Sequence, residues 1–271
     1  GSVEQRPAGF KRFLLRIFET WYENRRFINS DGITAICSTL ADIATRPGYP
    51  NDKLLLLPNG MHNPYLHSIS IEEARTKIGL PAESVIVGYI GSGFEKDMAL
   101  MYSAFNALRE KADNVKLLHI GRSNYNTPAD KDILLTGDTA NKDVADYLSA
   151  CDIFWFPLKT TQANMGRLPL KLSDYLTIGR PIVSTDVGDL ATWIRTLEVG
   201  KVGGDNADNI SDLVLNIIRS SELKETMSKN AITASLNPEL SWEKRAEDLE
   251  IFYFSRMNQD EESDDFGNDD M

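Results

Sequence analysis

Five short apolar runs, at residues 85–90, 115–120, 132–135, 152–156 and 181–184, punctuate the middle of this chain. They are continuous rather than alternating, the pattern of strands covered on both faces. Helical stripes lie between them: Met98, Met101, Phe105 and Leu108 form one, Val144, Tyr147 and Leu148 another. Parallel strands need long crossovers, and a helix is the usual one. The alternation predicts an α/β chain with a doubly wound parallel sheet.

On either side the pattern changes. Residues 10–27 read as a helix, with Phe10, Leu14, Ile17 and Trp21 on one face and Lys11, Arg12, Arg16, Arg25 and Arg26 around the rest. A strand is expected at 33–37 and a short helix from about Ser38. An apolar run at 53–57 ends on the turn signal Pro58-Asn59-Gly60. Two helices are expected within 206–235. Asn237-Pro238 then breaks the chain, and Ser241 caps a last helix to about Arg256. The expected organisation is a leading segment 1–58, a sheet domain 59–236, a closing helix 237–257 and an acidic tail 258–271.

That tail holds seven acidic and no basic residues; without it the net charge of −11 falls to about −4. It reads as disordered and solvating. No long basic stripe is present to replace phosphate counterions, so no nucleic-acid partner is expected. Cys37 and Cys151 are far apart and lack metal-ligand spacing. Neither a disulfide framework nor a metal site is expected, and a reducing, cytoplasmic compartment suits the chain. No apolar run approaches the ~18 residues of a membrane span. No signal peptide opens the sequence, and Gly1-Ser2 resembles a cloning remnant, so the native start lies elsewhere. The basic side of the 10–27 helix leaves open a peripheral contact with the inner face of a membrane. Packing of its apolar face on another domain is the favoured expectation.

Two segments carry candidate chemistry. Gly91-Ser92-Gly93-Phe94-Glu95-Lys96 ends a buried strand and opens a helix. Glycines there let backbone amides approach an anion, and the helix start favours negative charge. Lys96 adds a mobile cation. A purely structural turn is an even alternative for this segment taken alone. The second segment runs Gly166-Arg167-Leu168-Pro169-Leu170-Lys171-Leu172-Ser173-Asp174. Pro169 suits a first helical turn. Arg167 and Lys171 would flank a phosphate, and Asp174, on the face of Lys171, could accept from two vicinal hydroxyls. An exposed Lys171–Asp174 ion pair is the plainer alternative. His62, His67 and His119 are scattered, and no catalytic role is expected of them. Trp155 and Phe156 read as core, and Asp186 and Asp189 as turn residues around Gly188.

Six segments in order resemble family 4 glycosyltransferases of the GT-B fold: ITAICS, LLLLPNGMH, VGYIGSGFEK, LLTGDTANKDVADYLSACDIFWFP, PLKLSDYLTIGRPIVSTDVGDL and SWEKRAEDLEIFY. They cover about residues 8–256. The resemblance implies two Rossmann-like domains facing a cleft, the C-terminal one binding a nucleotide-sugar donor. Residues 1–58 then correspond to the end of an N-terminal acceptor domain that is otherwise missing, and the closing helix crosses back to that domain. The resemblance implies that Lys96 binds the diphosphate and Asp174 holds the ribose. Asp174 stands where the family has the second of two glutamates. Gly166 stands at the first, which usually touches the donor sugar, and Ser92 stands where an arginine is frequent. Arg167 and Lys171 are placed to compensate for that lost charge, as in a subgroup reading R.P.K..DYL..GRP. Gly137-Asp138-Thr139 falls where backbone groups meet the base.

The function so implied is transfer of a sugar from a UDP- or GDP-linked donor to an acceptor, with retention, without metal and without a cofactor. Lys96 and Lys171 are the expected catalytic cations; Gly91, Ser92, Gly93, Gly137, Asp138, Thr139, Gly166, Arg167, Leu168 and Asp174 are the expected donor-binding residues. Two alternatives stay open: a nucleotide-binding module inactive in transfer, and a GT-B nucleotide-sugar epimerase or hydrolase.

Overall fold

The computed structural model describes residues 10–123, 125–127 and 130–265. Two compact units divide the chain, residues 59–246 forming one and the segments 1–58 and 247–271 the other.

In the smaller unit, α1 (Phe10–Ile28) precedes β1 (Ile33–Ala35), α2 (Ser38–Thr45) and β2 (Leu54–Leu56). β1 and β2 pair in parallel, Ile33 beside Leu54. Gly32 is needed because a Cβ there would lie 2.9 Å from the Phe252 ring. On α1, Ile17 and Trp21 are half-exposed and Arg25 lies 5.4 Å over the Trp21 ring. The side chains of Phe10, Leu14, Lys11, Arg12 and Arg16 lie outside the described residues.

The larger unit is built on six parallel strands: β3 (Val85–Ile90), β4 (Val115–Ile120), β5 (Ile133–Leu135), β6 (Ile153–Phe156), β7 (Ile182–Thr185) and β8 (Gly200–Gly203). Their order is β5-β4-β3-β6-β7-β8. Successive residues of one strand enter opposite cores, as the two-residue period of a strand requires. Ile86, Phe154 and Phe156 join Leu148, Tyr175 and Leu190 on one face. Val87, Ile153 and Trp155 join Met101, Phe105 and Val214 on the other. The first face is covered by α5 (Asn141–Ser149), α7 (Lys171–Ile178), α8 (Gly188–Thr196) and α10 (Ser221–Ser235). The second is covered by α4 (Glu95–Arg109) and α9 (Ala207–Ile218).

Local chemistry sets the helix starts. Ser70, Thr161, Asn206 and Ser220 each accept the backbone N–H three residues on, capping α3 (Ile71–Ile78), α6 (Gln162–Met165), α9 and α10. A buried ion cluster ties α3 and α10 to the foot of β6. Asp152 takes Arg75 Nη2 at 2.6 Å, Lys224 Nζ at 2.6 Å and the Ile86 amide at 2.8 Å.

Several elements depart from the sequence reading. β8 was not anticipated, since Gly200-Lys201-Val202-Gly203 has one apolar side chain. A Cβ on Gly200 would come within 1.7 Å of the Ile182 carbonyl oxygen, so its ladder with β7 requires glycine. Gly188 and Asp189 open α8 rather than sitting in a loop. The last helix, α11 (Trp242–Asp265), continues through residues 258–265, which the composition marked as disordered; residues 266–271 lie outside the described residues. Extending a helix already nucleated upstream costs far less than starting one.

Candidate functional site

Between β3 and β6 the winding of the sheet reverses, the position at which sheets of this kind open a crevice between the loops leaving their carboxyl ends. From β3 come Gly91 and the head of α4, with Phe94, Lys96 and Asp97. From β6 come Lys159, α6, Arg167 and then α7, with Lys171 and Asp174. The two candidate segments, far apart in sequence, meet here.

Asp97 joins them. It is 1% exposed in the first turn of α4. Its carboxylate accepts from Lys159 N at 2.8 Å and from Asn164 Nδ2 at 2.9 Å, and it faces Arg167 Nη2 at 3.3 Å. Asn164 is held in turn by donating to Lys159 O at 2.8 Å and by the Thr161 cap. The Arg167 guanidinium lies 4.8 Å over the Phe94 ring. Its buried Nε has no described acceptor.

Lys171 leaves the first turn of α7 with its Nζ 3.9 Å from the centroid of the Tyr89 ring. Nζ is also 3.8 Å from where a Cβ on Gly91 would stand. Burial lowers its pKa to about 7; Arg167 pushes the same way, and Asp174 and Asp97 oppose. The plainer alternative, an ion pair with Asp174, does not form among the described residues. Asp174 Oδ1 instead accepts from Asn63 Nδ2 at 2.7 Å. Asn63 Oδ1 accepts the Tyr65 amide at 3.0 Å, and that bond orients the side-chain amide toward the carboxylate. Burial raises the Asp174 pKa, against the Asn63 bond and the Lys171 charge.

His119 belongs to the same end of the sheet, in a supporting role that the sequence reading, which considered the histidines only for catalysis, did not anticipate. It is fully buried and pairs in register with Tyr89 on the adjacent strand. Its Nε2 lies 2.8 Å from Gly91 O and its Nδ1 3.2 Å from Tyr102 Oη. A carbonyl can only accept, so Nε2 carries the proton. Burial lowers the His119 pKa and keeps the ring neutral, so Nδ1 accepts from Tyr102. This bond anchors the Gly91 turn, whose φ of +87° favours glycine. The signal available in sequence was position: His119 is the penultimate residue of an apolar run neighbouring the glycine-rich loop.

The remaining expected residues are more dispersed. Lys96 and Ser92 are exposed, and Lys96 makes no side-chain bond among the described residues. Gly93 packs under Tyr89 and Met98, where a Cβ would lie 2.4 Å from Met98 Cε. Gly166 ends α6. Leu168 is core, 3% exposed, and its carbonyl accepts from Asn59. Gly137 has a φ of +67° in the loop after β5, with Thr139 bonded to Thr136 at 2.7 Å. Asp138 pairs with Arg122 in the open.

Asp174, Asn63, Tyr65, Leu170 and Trp242 line a cavity of about 730 Å³. Asn63, Tyr65, Ile90, Lys142 and Val144 line another of about 660 Å³. Lys96, Lys171 and Arg167 line neither. Among the described residues no group of three or more His, Cys, Asp or Glu is set to hold a metal. No described helix is long and apolar enough to cross a membrane.

A doubly wound parallel sheet with cations and a buried carboxylate at its switch point defines a Rossmann-like domain. The chain belongs to the family described as Glycosyl transferases group 1, which it matches over residues 84–220, half of its length. TuaC of Bacillus subtilis, assigned by name to teichuronic acid biosynthesis as a glycosyltransferase, is 28% identical over 123 residues, 45% of this chain and 30% of TuaC. Sucrose-phosphate synthase from Thermosynechococcus elongatus superposes with a TM-score of 0.71 at 17% identity, over 96% of this chain and 64% of that one. HepE of Anabaena, solved in complex with UDP, gives 0.67 at 16% identity, over 93% of this chain and 70% of that one. The fold is thus that of GT-B glycosyltransferases. The chain spans under a third of TuaC and under two thirds of the synthase.

Proposed function

We propose that this chain is the donor half of a glycosyltransferase, binding a UDP- or GDP-linked sugar for transfer to an acceptor held by another domain. The observation that carries this reading is Lys171: an enclosed amine beside the Gly91 turn, with Arg167 close enough to depress its pKa and no carboxylate in ion-pair range among the described residues. Two such cations at a sheet switch point suit a diphosphate. HepE, which shares the fold, has been solved with UDP and with UDP-glucose, in keeping with a donor of that class.

In this reading the leaving diphosphate gains negative charge as the bond to the sugar breaks. Lys171, Arg167 and the mobile Lys96 stabilise that charge, with no metal or cofactor taking part. Asp174 accepts from the ribose hydroxyls through the oxygen that Asn63 leaves free. The leaving group stays on the face the acceptor attacks, and the anomeric configuration is retained. Gly166 supplies no carboxylate to the donor sugar, so sugar choice rests on other groups. The whole protein works in the cytoplasm, and the apolar face of α1 packs on the acceptor domain.

Calorimetric titration of the folded chain with UDP and GDP tests the reading. Micromolar to millimolar binding of one of them, weakened in Lys171→Ala, is expected; binding of neither overturns it. Consumption of UDP-sugar with no acceptor present would favour an epimerase or hydrolase instead.

A further inference from the structure

We propose that Asp97 is a positioning residue that holds the Arg167 guanidinium at the diphosphate subsite, in place of a cation carried by the Gly91 loop. The inference rests on the proposed function and deepens it. Nothing in the position of Asp97, next to Lys96 in sequence, suggests this. Its side chain turns inward while that of Lys96 remains in solvent.

Position 92 is serine, so the loop after β3 offers no fixed cation. Arg167 comes from the other arm of the crevice, and a free arginine there would sample many rotamers. Two contacts from the head of α4 restrict it. Asp97 pairs with Nη2 at 3.3 Å, and Phe94 lies under the guanidinium plane at 4.8 Å. The geometry leaves donors unspent, because Asp97 engages a single nitrogen. A guanidinium carries five N–H donors, so pairing with Asp97 does not exhaust its capacity for a phosphate.

The carboxylate is itself fixed against reorientation. Lys159 N and Asn164 Nδ2 both donate to it, so it sits in one rotamer with its charge directed at Arg167. A carboxylate buried to this degree is retained at a desolvation cost unless it is paired and hydrogen-bonded. Here three donors from the β6 arm meet that need. The same bonds bring the β6 arm against the head of α4, so the anchor also sets the spacing of the two arms.

A double-mutant cycle separates positioning from general support. UDP and GDP are titrated calorimetrically against wild type, Asp97→Asn, Arg167→Ala and the double variant, and UMP or GMP is titrated alongside. Arg167→Ala is expected to weaken the diphosphate by roughly tenfold or more, the strength of one hydrogen bond to a charged group. Asp97→Asn should weaken it severalfold, should spare the monophosphate, and should have no further effect once Arg167 is gone. Equal losses in both backgrounds, or equal losses for monophosphate and diphosphate, overturn the inference. If Asp97→Asn does not fold, Phe94→Ala, at a half-exposed ring, replaces it in the same cycle with the same expectation. Wild type that binds neither UDP nor GDP sinks the proposed function and this inference with it; binding with an additive cycle sinks this inference alone.

Discussion

The Lys171 ammonium stands 3.9 Å over the Tyr89 ring, on the strand that delivers the Gly91 turn. A cation held by an aromatic face, rather than by a carboxylate, remains available to an anion. The i,i+3 spacing of Lys171 and Asp174 pointed equally to a mutual ion pair. Tertiary packing decided against it by giving Asp174 to Asn63.

Proton uptake on binding follows. Burial holds the Lys171 pKa at about 7, with Arg167 repelling and Asp174 and Asp97 attracting the charge; neutral His119 and Tyr89 add no net charge. A diphosphate beside the amine raises that pKa, so at pH 8 the complex takes up part of a proton. Binding enthalpy should vary with buffer ionisation enthalpy, and affinity should fall from pH 7 to pH 9. Both effects should vanish in Lys171→Met. In the free protein the same lowered pKa makes the fold gain stability as pH rises from 7 toward 10.5, because the unfolded chain then holds more protons.

Asp174→Asn separates stability from recognition. Burial raises the Asp174 pKa, so its ionised form weighs against the folded state at neutral pH, and the loss is relieved as pH falls. The amide should therefore melt at an equal or higher temperature at pH 7. Its preference for UDP over 2′-deoxy-UDP should nevertheless disappear, because an amide oxygen is a weaker acceptor than a carboxylate. A retained preference would remove Asp174 from the ribose site.

Gly91→Ala places a side chain at a φ of +87°, with a cost of about 1–2 kcal/mol. Urea unfolding should register that loss. Gly137→Ala, at +67°, should register a similar loss. Nucleotide affinity should drop for Gly91→Ala beyond any change in Gly137→Ala, because Gly91 carries the carbonyl that His119 anchors. Equal affinities would argue that the Gly91 turn is purely structural.

Asp152→Ala should destabilise the larger unit by about 3–5 kcal/mol, the usual consequence of orphaning buried ion partners. Arg75 and Lys224 would both lose their carboxylate, and the Ile86 amide its acceptor. Arg122→Ala, which breaks a pair with Asp138 exposed on both sides, should leave the denaturation midpoint unchanged.

What the sequence determined by itself was the layering and the ends of elements. Runs such as 85–90 and 153–156 are apolar with scarcely a break because both strand faces are buried, so their burial is written locally. Caps at Ser70, Thr161, Asn206 and Ser220 are local as well. β8 escaped because a glycine-rich edge strand is defined by its ladder with β7 and not by its own side chains. The candidate site was legible as two cationic segments, each of ambiguous purpose. Tertiary structure alone decided that Asp97 turns inward to meet Arg167, that Asn63 takes Asp174, and that His119 supports Gly91. Those contacts join residues 28 to 111 positions apart. Charge and hydrogen-bonding capacity are properties of a residue, but which partner satisfies them depends on the order in which the sheet is wound.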